Sequence, residues 1–269
     1  MALKFVIAWE AELPGEEHAD LSISGLLSGL HKYGAEAFLI PVAYAEEKTL
    51  AQILKENGLK PEEGLALVAT DASLAQTAGL PIATVAFLHP AFPGQSLLSA
   101  QILVEGFEEV DFYFLERIYD RKHNIPWRVI DTERCYLREM KEDDLDALYE
   151  LYAGEGMTRY MEPLYEDREE EAEYMRAYIA SQYYYYGYGM WVVIERATGK
   201  LIGRAGLDNR NIHGGIELEM GYAVAADHHR QGYATEICLA ILKYAGEFLE
   251  FSRVNCLVDK KNEASVQLL

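Results

Sequence analysis

The sequence is poor in cysteine, and its few cysteines do not follow the spacing of metal or disulfide sites. Cys135, Cys238 and Cys256 lie far apart, in apolar contexts, and form no CxxC pair. Cysteines of this kind predict buried, reduced thiols rather than ligands or cross-links. We therefore expect no metal cofactor and a cytoplasmic protein.

The sequence also lacks a long apolar run. No stretch of eighteen or more apolar residues is present, whereas a helix that crosses a bilayer needs about twenty. The first twenty residues have no basic region ahead of their short apolar stretch and soon turn acidic, so they do not have the pattern of a signal peptide. The sequence predicts no membrane partner.

Positive charge is scarce. The chain of 269 residues has 24 Lys and Arg against 44 Asp and Glu, a formal net charge of −20. Such a surface repels a phosphate backbone, so nucleic acid is excluded as a partner. The charge has two remaining interpretations, which are solubility and attraction for a cationic amine substrate.

The N-terminal half alternates apolar strand-like runs with helix-like stretches, the βαβ rhythm of a parallel, Rossmann-like α/β domain. The predicted strands are Leu3–Trp9, Ala35–Val42, Leu65–Ala69 and Ile82–Phe87, and the predicted helices are Leu21–Tyr33, Glu46–Asn57, Ser73–Ala78 and Phe107–Tyr119. We predict this domain over residues 1–120. Pro126 interrupts the helical pattern, which indicates a linker over residues 121–133.

The rest of the chain, residues 134–269, has the pattern of an α+β domain with a mostly antiparallel central sheet. The predicted strands are Cys135–Glu139, Met190–Arg196, Lys200–Leu207, Gly215–Val224 and Arg253–Val258, and the predicted helices are Lys141–Ala153, Glu169–Tyr186, Thr235–Glu250 and one that begins at Asn262. The fold class is therefore α/β, with two domains of different sheet type.

The most informative stretch is Gly215–Glu236, which reads as a strand, a short loop and the start of an amphipathic helix. Apolar and other residues alternate with period two from Ile216 to Val224, as in a strand. The first-turn N–H groups of the following helix have no helical partner and lie at the positive end of its dipole. Gly232 and the small Ala234 would let a diphosphate approach these groups.

This stretch resembles the coenzyme A loop of the GNAT acetyltransferase superfamily, in particular the branch of the ribosomal-protein alanine acetyltransferases. The family loop Gln/Arg-x-x-Gly-x-Gly/Ala maps to His229, Gly232 and Ala234, with His229 as a departure. LREMKEDDLDALYELY, GKLIGRAGL and NEASVQLL resemble further family elements, so the resemblance covers residues 127–269. It implies acetyl-CoA as co-substrate, held by Tyr222, Ala223, Val224, His229, Arg230, Gln231, Gly232, Tyr233, Ala234, Thr235, Asn262 and Ser265.

The resemblance also implies direct attack of an amine on the thioester, for which a carboxylate acts as general base. Glu217 and Glu219 lie two apart on the predicted strand and so share one face; each could instead simply face solvent. Glu219 is favoured because it is nearer Gly221, where the family strand bulges. A tyrosine that protonates the departing thiolate in the family is replaced by Leu269, which leaves Ser265 or water for that step.

The chain ends inside the last helix, where the family continues into further strands, so we expect these C-terminal strands to be missing. This departure and the lost tyrosine keep a second hypothesis open, a non-catalytic acyl-CoA-binding sensor.

The acceptor is expected to be a small-molecule or protein amine. Tyr186, Tyr188 and Trp191 belong to an aromatic cluster that could cage a cation, or could be core packing. Glu162, in the loop before the second helix of this half, is a further candidate for the acceptor groove.

Residues Leu65–Val85 resemble a late strand, helix and strand of haloacid-dehalogenase-like hydrolases. Only Asp71 matches the acidic pair that holds magnesium there, and the Asp-x-Asp nucleophile signature is absent from the first strand, FVIAWEAE. Without that nucleophile phosphoryl transfer has no starting point. We expect this half to serve substrate selection or homodimer contacts.

Overall fold

The structure is a computed structural model that describes residues 2–13 and 23–269. By contacts, the chain divides into two compact units, Met1–Ile125 and Pro126–Leu269. The division falls inside the predicted linker. Each unit is built around its own sheet.

The N-terminal unit contains a parallel five-stranded sheet in the order β2-β1-β3-β4-β5. Its elements are β1 (Phe5–Trp9), α1 (Ser24–Gly29), β2 (Glu36–Ile40), α2 (Val42–Glu47), α3 (Leu50–Glu56), β3 (Gly64–Val68), α4 (Asp71–Thr77), β4 (Ala83–Phe87), β5 (Ile102–Val104) and α5 (Phe112–Lys122). The strand order is that of flavodoxin-like doubly wound sheets. Strands β1, β3 and β4 are buried along their whole length, which explains why they read as continuous apolar runs.

Local capping moves several predicted boundaries in this unit. The helix predicted over Glu46–Asn57 is two helices, because the Thr49 side chain accepts a hydrogen bond from the Gln52 N–H and restarts the chain as α3. The helix predicted from Phe107 begins at Phe112, after an Asp111 cap. The short strand β5 was not predicted. The first two residues of the predicted helix Leu21–Tyr33 lie outside the described residues.

The C-terminal unit contains an antiparallel five-stranded sheet in the order β10-β9-β8-β7-β6. Its elements are β6 (Arg128–Asp131), β7 (Cys135–Arg138), α6 (Leu145–Tyr152), α7 (Arg168–Tyr178), α8 (Tyr184–Tyr186), β8 (Met190–Glu195), β9 (Leu201–Ile212), β10 (Gly215–Val224), α9 (Tyr233–Glu247) and α10 (Glu263–Leu268). A π-helical segment, Ile179–Tyr183, joins α7 to α8. The predicted α/β fold class, a parallel sheet followed by an antiparallel one, is confirmed.

The long hairpin of β9 and β10 brings the two strands into register without a break, from Gly215 opposite Ile212 to Val224 opposite Gly203. The bulge expected near Gly221 is therefore absent from this ladder. The strand predicted over Arg253–Val258 is also wrong. Among the described residues, the backbone of that segment pairs with β10 only at an isolated bridge between Glu219 and Asn255.

Several side chains of chemical interest in this unit are buried in its core. Trp191 has no exposed surface and lies among the buried residues of the core, and Cys135 and Cys238 lie there too. All three cysteines are free. Burial raises the pKa of Cys135 to about 11 and that of Cys238 to about 12, so both thiols stay protonated at neutral pH and are poor nucleophiles.

Two features are absent from residues 2–13 and 23–269. No helix there is long and apolar enough to cross a membrane. No group of three or more His, Cys, Asp or Glu side chains is arranged to hold a metal ion.

Candidate cofactor and acyl-transfer site

The loop between β10 and α9 carries two consecutive features of an anion site. Arg230 and Gly232 both have positive φ angles, 57° and 81°, which turn the chain sharply into the helix that starts at Tyr233. No side chain caps this helix. The N–H groups of its first turn are therefore available to a ligand at the positive end of the helix dipole.

Hydrogen bonds from within the loop fix its shape. The His229 Nε2 lies 2.8 Å from the Val224 carbonyl oxygen, and the Gln231 side-chain amide donates to the Asp227 carbonyl at 2.7 Å. His229, the departure from the family pattern, thus ties the loop back to the end of β10. Neither of these two hydrogen bonds uses an N–H group of the first turn of α9, so both leave the helix N-terminus open.

One edge of β10 opens toward this loop. The Met220 N–H donates to the Asn255 carbonyl, and the Asn255 N–H donates to the Leu218 carbonyl, both at 2.8 Å. Because backbone groups alternate along a strand, the N–H groups of Tyr222 and Val224 point the same way as that of Met220. The segment after Asn255 makes no further pairing with β10 among the described residues. The two N–H groups therefore face an unpaired gap next to the anion site.

Glu217 and Glu219 share one face of β10, as predicted from their spacing. The Arg210 Nε lies 3.0 Å from Glu219 Oε2, and the Glu219 side chain is 16% exposed. Glu217 accepts a hydrogen bond from the Asn255 side chain at 2.9 Å and pairs with Arg253. These two partners, Asn255 first, hold the pKa of Glu217 below its usual range, which weakens Glu217 as a base.

Asp208 lies directly opposite Glu219 in the β9–β10 register and was missed by the sequence analysis. Opposed residues on one face of an antiparallel pair have Cβ atoms about 5 Å apart. The signal was present in the sequence: once the turn after Ile212 fixes the hairpin register, Asp208 must face Glu219. The same register brings Arg210 opposite Glu217.

The start of α10 lies near the side chain of Tyr222. Asn262 caps this helix by accepting a hydrogen bond from the Ser265 N–H at 3.3 Å. The Tyr222 hydroxyl is buried and has no hydrogen-bond partner within the described residues. Burial raises the pKa of Tyr222, and the neighbouring Ser265 side chain partly offsets that increase. Three of the predicted cofactor residues are thereby brought together.

The aromatic residues predicted for the acceptor groove do not form one surface. Trp191 is fully buried and packs edge-on against Tyr244, so it belongs to the core. Tyr188 is 6% exposed and its hydroxyl donates to Asn209. For these two residues the cage prediction is wrong, because their rings pack against neighbouring side chains. Only Tyr186, 44% exposed, is accessible.

Glu162, the remaining acceptor candidate, is exposed. The loop that carries it is anchored near α10, since the hydroxyl of Tyr160 donates to the Lys261 carbonyl at 2.9 Å. Glu162 therefore lies two residues from a contact with the segment that precedes Asn262. The structure gives no contact between Glu162 and Glu219.

Comparison with known proteins gives a consistent family. The family model described as "Acetyltransferase (GNAT) domain" matches residues 134–269. The chain is 28% identical over 141 residues to the uncharacterized N-acetyltransferase YoaA of Bacillus subtilis (strain 168), a match that covers 52% of this chain and 79% of that protein. It is 26% identical over 138 residues to the uncharacterized N-acetyltransferase p20 of Bacillus licheniformis, covering 51% and 77%.

Among solved structures, the chain is similar to a GNAT-family acetyltransferase from Bacillus anthracis. The sequence identity is 20% and the TM-score is 0.43. The match covers 52% of this chain and 78% of the other.

Proposed function

The chain belongs to the GNAT acetyltransferase family and is an N-acetyltransferase; from that premise we propose that the loop before α9 binds acetyl-CoA and that Glu219 is the general base. The single observation that carries this proposal is the uncapped helix start at Gly232, next to the unpaired edge of β10. A diphosphate binds at an uncapped helix start, and an extended pantetheine arm lies along an unpaired strand edge.

For the cofactor, we assign the diphosphate to the N–H groups of the segment from Arg230 to Thr235. The pantetheine arm then runs along the gap beside β10. There it takes the place of the missing strand and accepts hydrogen bonds from the N–H groups of Tyr222 and Val224. Asn262 and Ser265 border the same gap from α10. No metal is required for this chemistry.

The reaction is a direct transfer. Glu219 accepts a proton from the acceptor ammonium, the freed amine nitrogen attacks the thioester carbonyl, and the C–S bond breaks as the amide forms. A backbone N–H near Tyr222–Val224 stabilises the oxyanion. The CoA thiolate, with a pKa near that of a cysteine at about 8.5, leaves without a strong acid. As the tetrahedral intermediate collapses, its nitrogen loses a second proton, which Ser265, the buried Tyr222 hydroxyl beside it, or water passes to the CoA thiolate.

For the acceptor, we propose a cationic amine, as a small molecule or a protein N-terminus. Glu219, Asp208 opposite it and Glu217 place three carboxylates on one face of the hairpin. Arg210 and Arg253 pair with two of them and are both exposed, with 57% and 69% of their side chains accessible. A cationic acceptor can displace such solvated partners at small cost. Glu162 and Tyr186 are the proposed outer contacts.

We propose that the N-terminal unit has no phosphatase activity. The Asp71 carboxylate accepts hydrogen bonds from the N–H groups of Ser96 at 3.0 Å and Leu97 at 2.8 Å. These bonds hold the pKa of Asp71 below its usual range. Asp71 therefore has a local structural role. Substrate selection or a homodimer contact remains the proposal for this unit.

The test is amine-dependent release of CoA thiol from acetyl-CoA by the full chain, across a panel of polyamines, amino compounds and peptide N-termini. We expect turnover with at least one cationic amine and loss of that turnover in Glu219→Gln. Glu217→Gln is the comparison variant: it removes a neighbouring carboxylate from the same acceptor face, so it should raise the KM for the amine while turnover persists. Tight CoA binding without turnover of any amine would instead support the acyl-CoA sensor.

A further inference from the structure

Arg134, in the turn before β7, contacts the cofactor loop from outside it. Its Nη1 donates to the Gln231 carbonyl at 2.8 Å. Its guanidinium lies over the Tyr233 ring, 4.1 Å from the centroid. The two contacted residues flank Gly232, the residue at which the chain turns into α9. A single side chain therefore touches both sides of the turn.

Glu236 locks Arg134 in this position. One carboxylate oxygen of Glu236 accepts from the Arg134 backbone N–H at 2.8 Å, and the other accepts from Arg134 Nε at 2.7 Å. Glu236 belongs to the first turn of α9, so this clamp joins the start of that helix to the turn before β7. Two charged hydrogen bonds of this length are stronger than neutral ones.

The clamp uses Nε and Nη1 of the guanidinium. Arg134 Nη2 lies 3.4 Å from the point where a Gly232 side chain would begin. The Tyr233 ring is held from its other end, because its hydroxyl donates to Glu195 at 2.6 Å. The loop is thus held on both sides of its turn, and a cationic N–H group of Arg134 lies beside Gly232.

We propose that Arg134 is a positioning residue for the diphosphate loop: it holds Gln231 and Tyr233 in the conformation that exposes the helix N–H groups. The inference rests on the proposed assignment of this loop to CoA. It adds that affinity for the diphosphate depends on a residue about 100 positions away in sequence, outside the loop motif.

The experiment measures dissociation constants for CoA and for pantetheine, which lacks the diphosphate, by calorimetric and NMR titration of the full chain. Arg134→Met should weaken CoA binding by about tenfold or more, because loss of the charged hydrogen bond to the Gln231 carbonyl shifts the loop out of its binding conformation, and it should leave pantetheine binding unchanged. Arg134→Lys should fall between, because one ammonium cannot make all three contacts.

Arg196→Met is the matched control. The Arg196 side chain is 36% exposed, against 39% for Arg134. Its guanidinium likewise pairs with a carboxylate, Asp131, and donates to the backbone carbonyls of Thr132 and Cys135, but in the part of the chain that the structure describes its side chain makes no hydrogen bond to the cofactor loop. We expect Arg196→Met to bind both ligands like the wild type.

The outcomes separate this inference from the proposed function. Wild-type CoA affinity in Arg134→Met, or an equal loss for CoA and pantetheine, overturns the positioning role while the cofactor site stands. Absence of CoA binding in the wild type overturns both.

Discussion

Replacing Gly232 by alanine is the sharpest perturbation of the cofactor loop. Gly232 has a φ of 81° and a ψ of 1°, in the left-handed region, where a residue with a Cβ atom costs about 1–2 kcal/mol. The new Cβ would lie 3.4 Å from Arg134 Nη2, which is ordinary contact. The penalty is therefore one of backbone conformation and not of collision.

The strain lowers the affinity for CoA by reducing the fraction of molecules in which the loop has its binding conformation. If alanine shifts the loop out of its present turn by that free energy, the competent fraction falls and the apparent dissociation constant for CoA rises by the same factor. A cost of about 1–2 kcal/mol corresponds to a factor of roughly 5–30. Gly232→Arg should lose more, because its side chain would add bulk where the diphosphate approaches.

The assay is calorimetric titration of CoA, with thermal unfolding measured on the same samples. The control is Gly246→Ala, which lies in the same helix α9 and has no atom within 4 Å of the new Cβ. In an ordinary helical position this change should stabilise the protein by about 0.5–1 kcal/mol and leave CoA affinity unaltered. Gly232→Ala with wild-type affinity would refute the assignment of the turn to the diphosphate.

Three further predictions follow from the same geometry. Glu219→Gln should lower kcat by about 10²–10⁴-fold, whereas Glu217→Gln should act mainly on the KM for the amine; equal losses of kcat in steady-state assays would contradict the choice of base. Burial raises the pKa of Glu236, but hydrogen bonds from Thr132 and Arg134 outweigh it and leave the pKa below the usual 4.5. The stability that Glu236 gives over Glu236→Gln should thus be complete above pH about 4.5 and lost as the pH falls further, as denaturant titrations at several pH values would show; a pH-independent difference would contradict this. Cys135 and Cys238, 0% and 3% exposed, should resist a thiol reagent at pH 7.5 in the native protein, and rapid labelling detected by mass spectrometry would show that the core is open.

The local chemistry of the cofactor loop could be predicted from sequence because it depends on short-range signals. The period-two pattern of β10 and the glycine ahead of α9 fix where the strand ends and where the helix begins. The helix predicted to begin at Asn262 depends on an equally local contact, since the Asn262 side chain needs only the N–H of Ser265, three residues later. These features required no knowledge of the rest of the fold.

Acceptor-side residues could not be predicted in the same way. The sequence shows only that Trp191 and Tyr188 are aromatic. The packing of the folded unit is what buries them in its core. Asp208 becomes significant only through its register with Glu219, and Arg134 only through contacts about 100 residues away in sequence. The strand prediction over Arg253–Val258 was wrong for a related reason: its composition suits a strand, but within the described part of the chain only the backbone of Asn255 pairs with β10.

The most direct test of the account is a crystal structure of the full chain grown with excess CoA. We predict diphosphate oxygens within about 2.7–3.2 Å of the N–H groups between Gly232 and Thr235, with the pantetheine arm along the edge of β10 at Tyr222 and Val224. A saturated crystal in which the helix start is empty, or in which CoA binds elsewhere, would contradict the central claim.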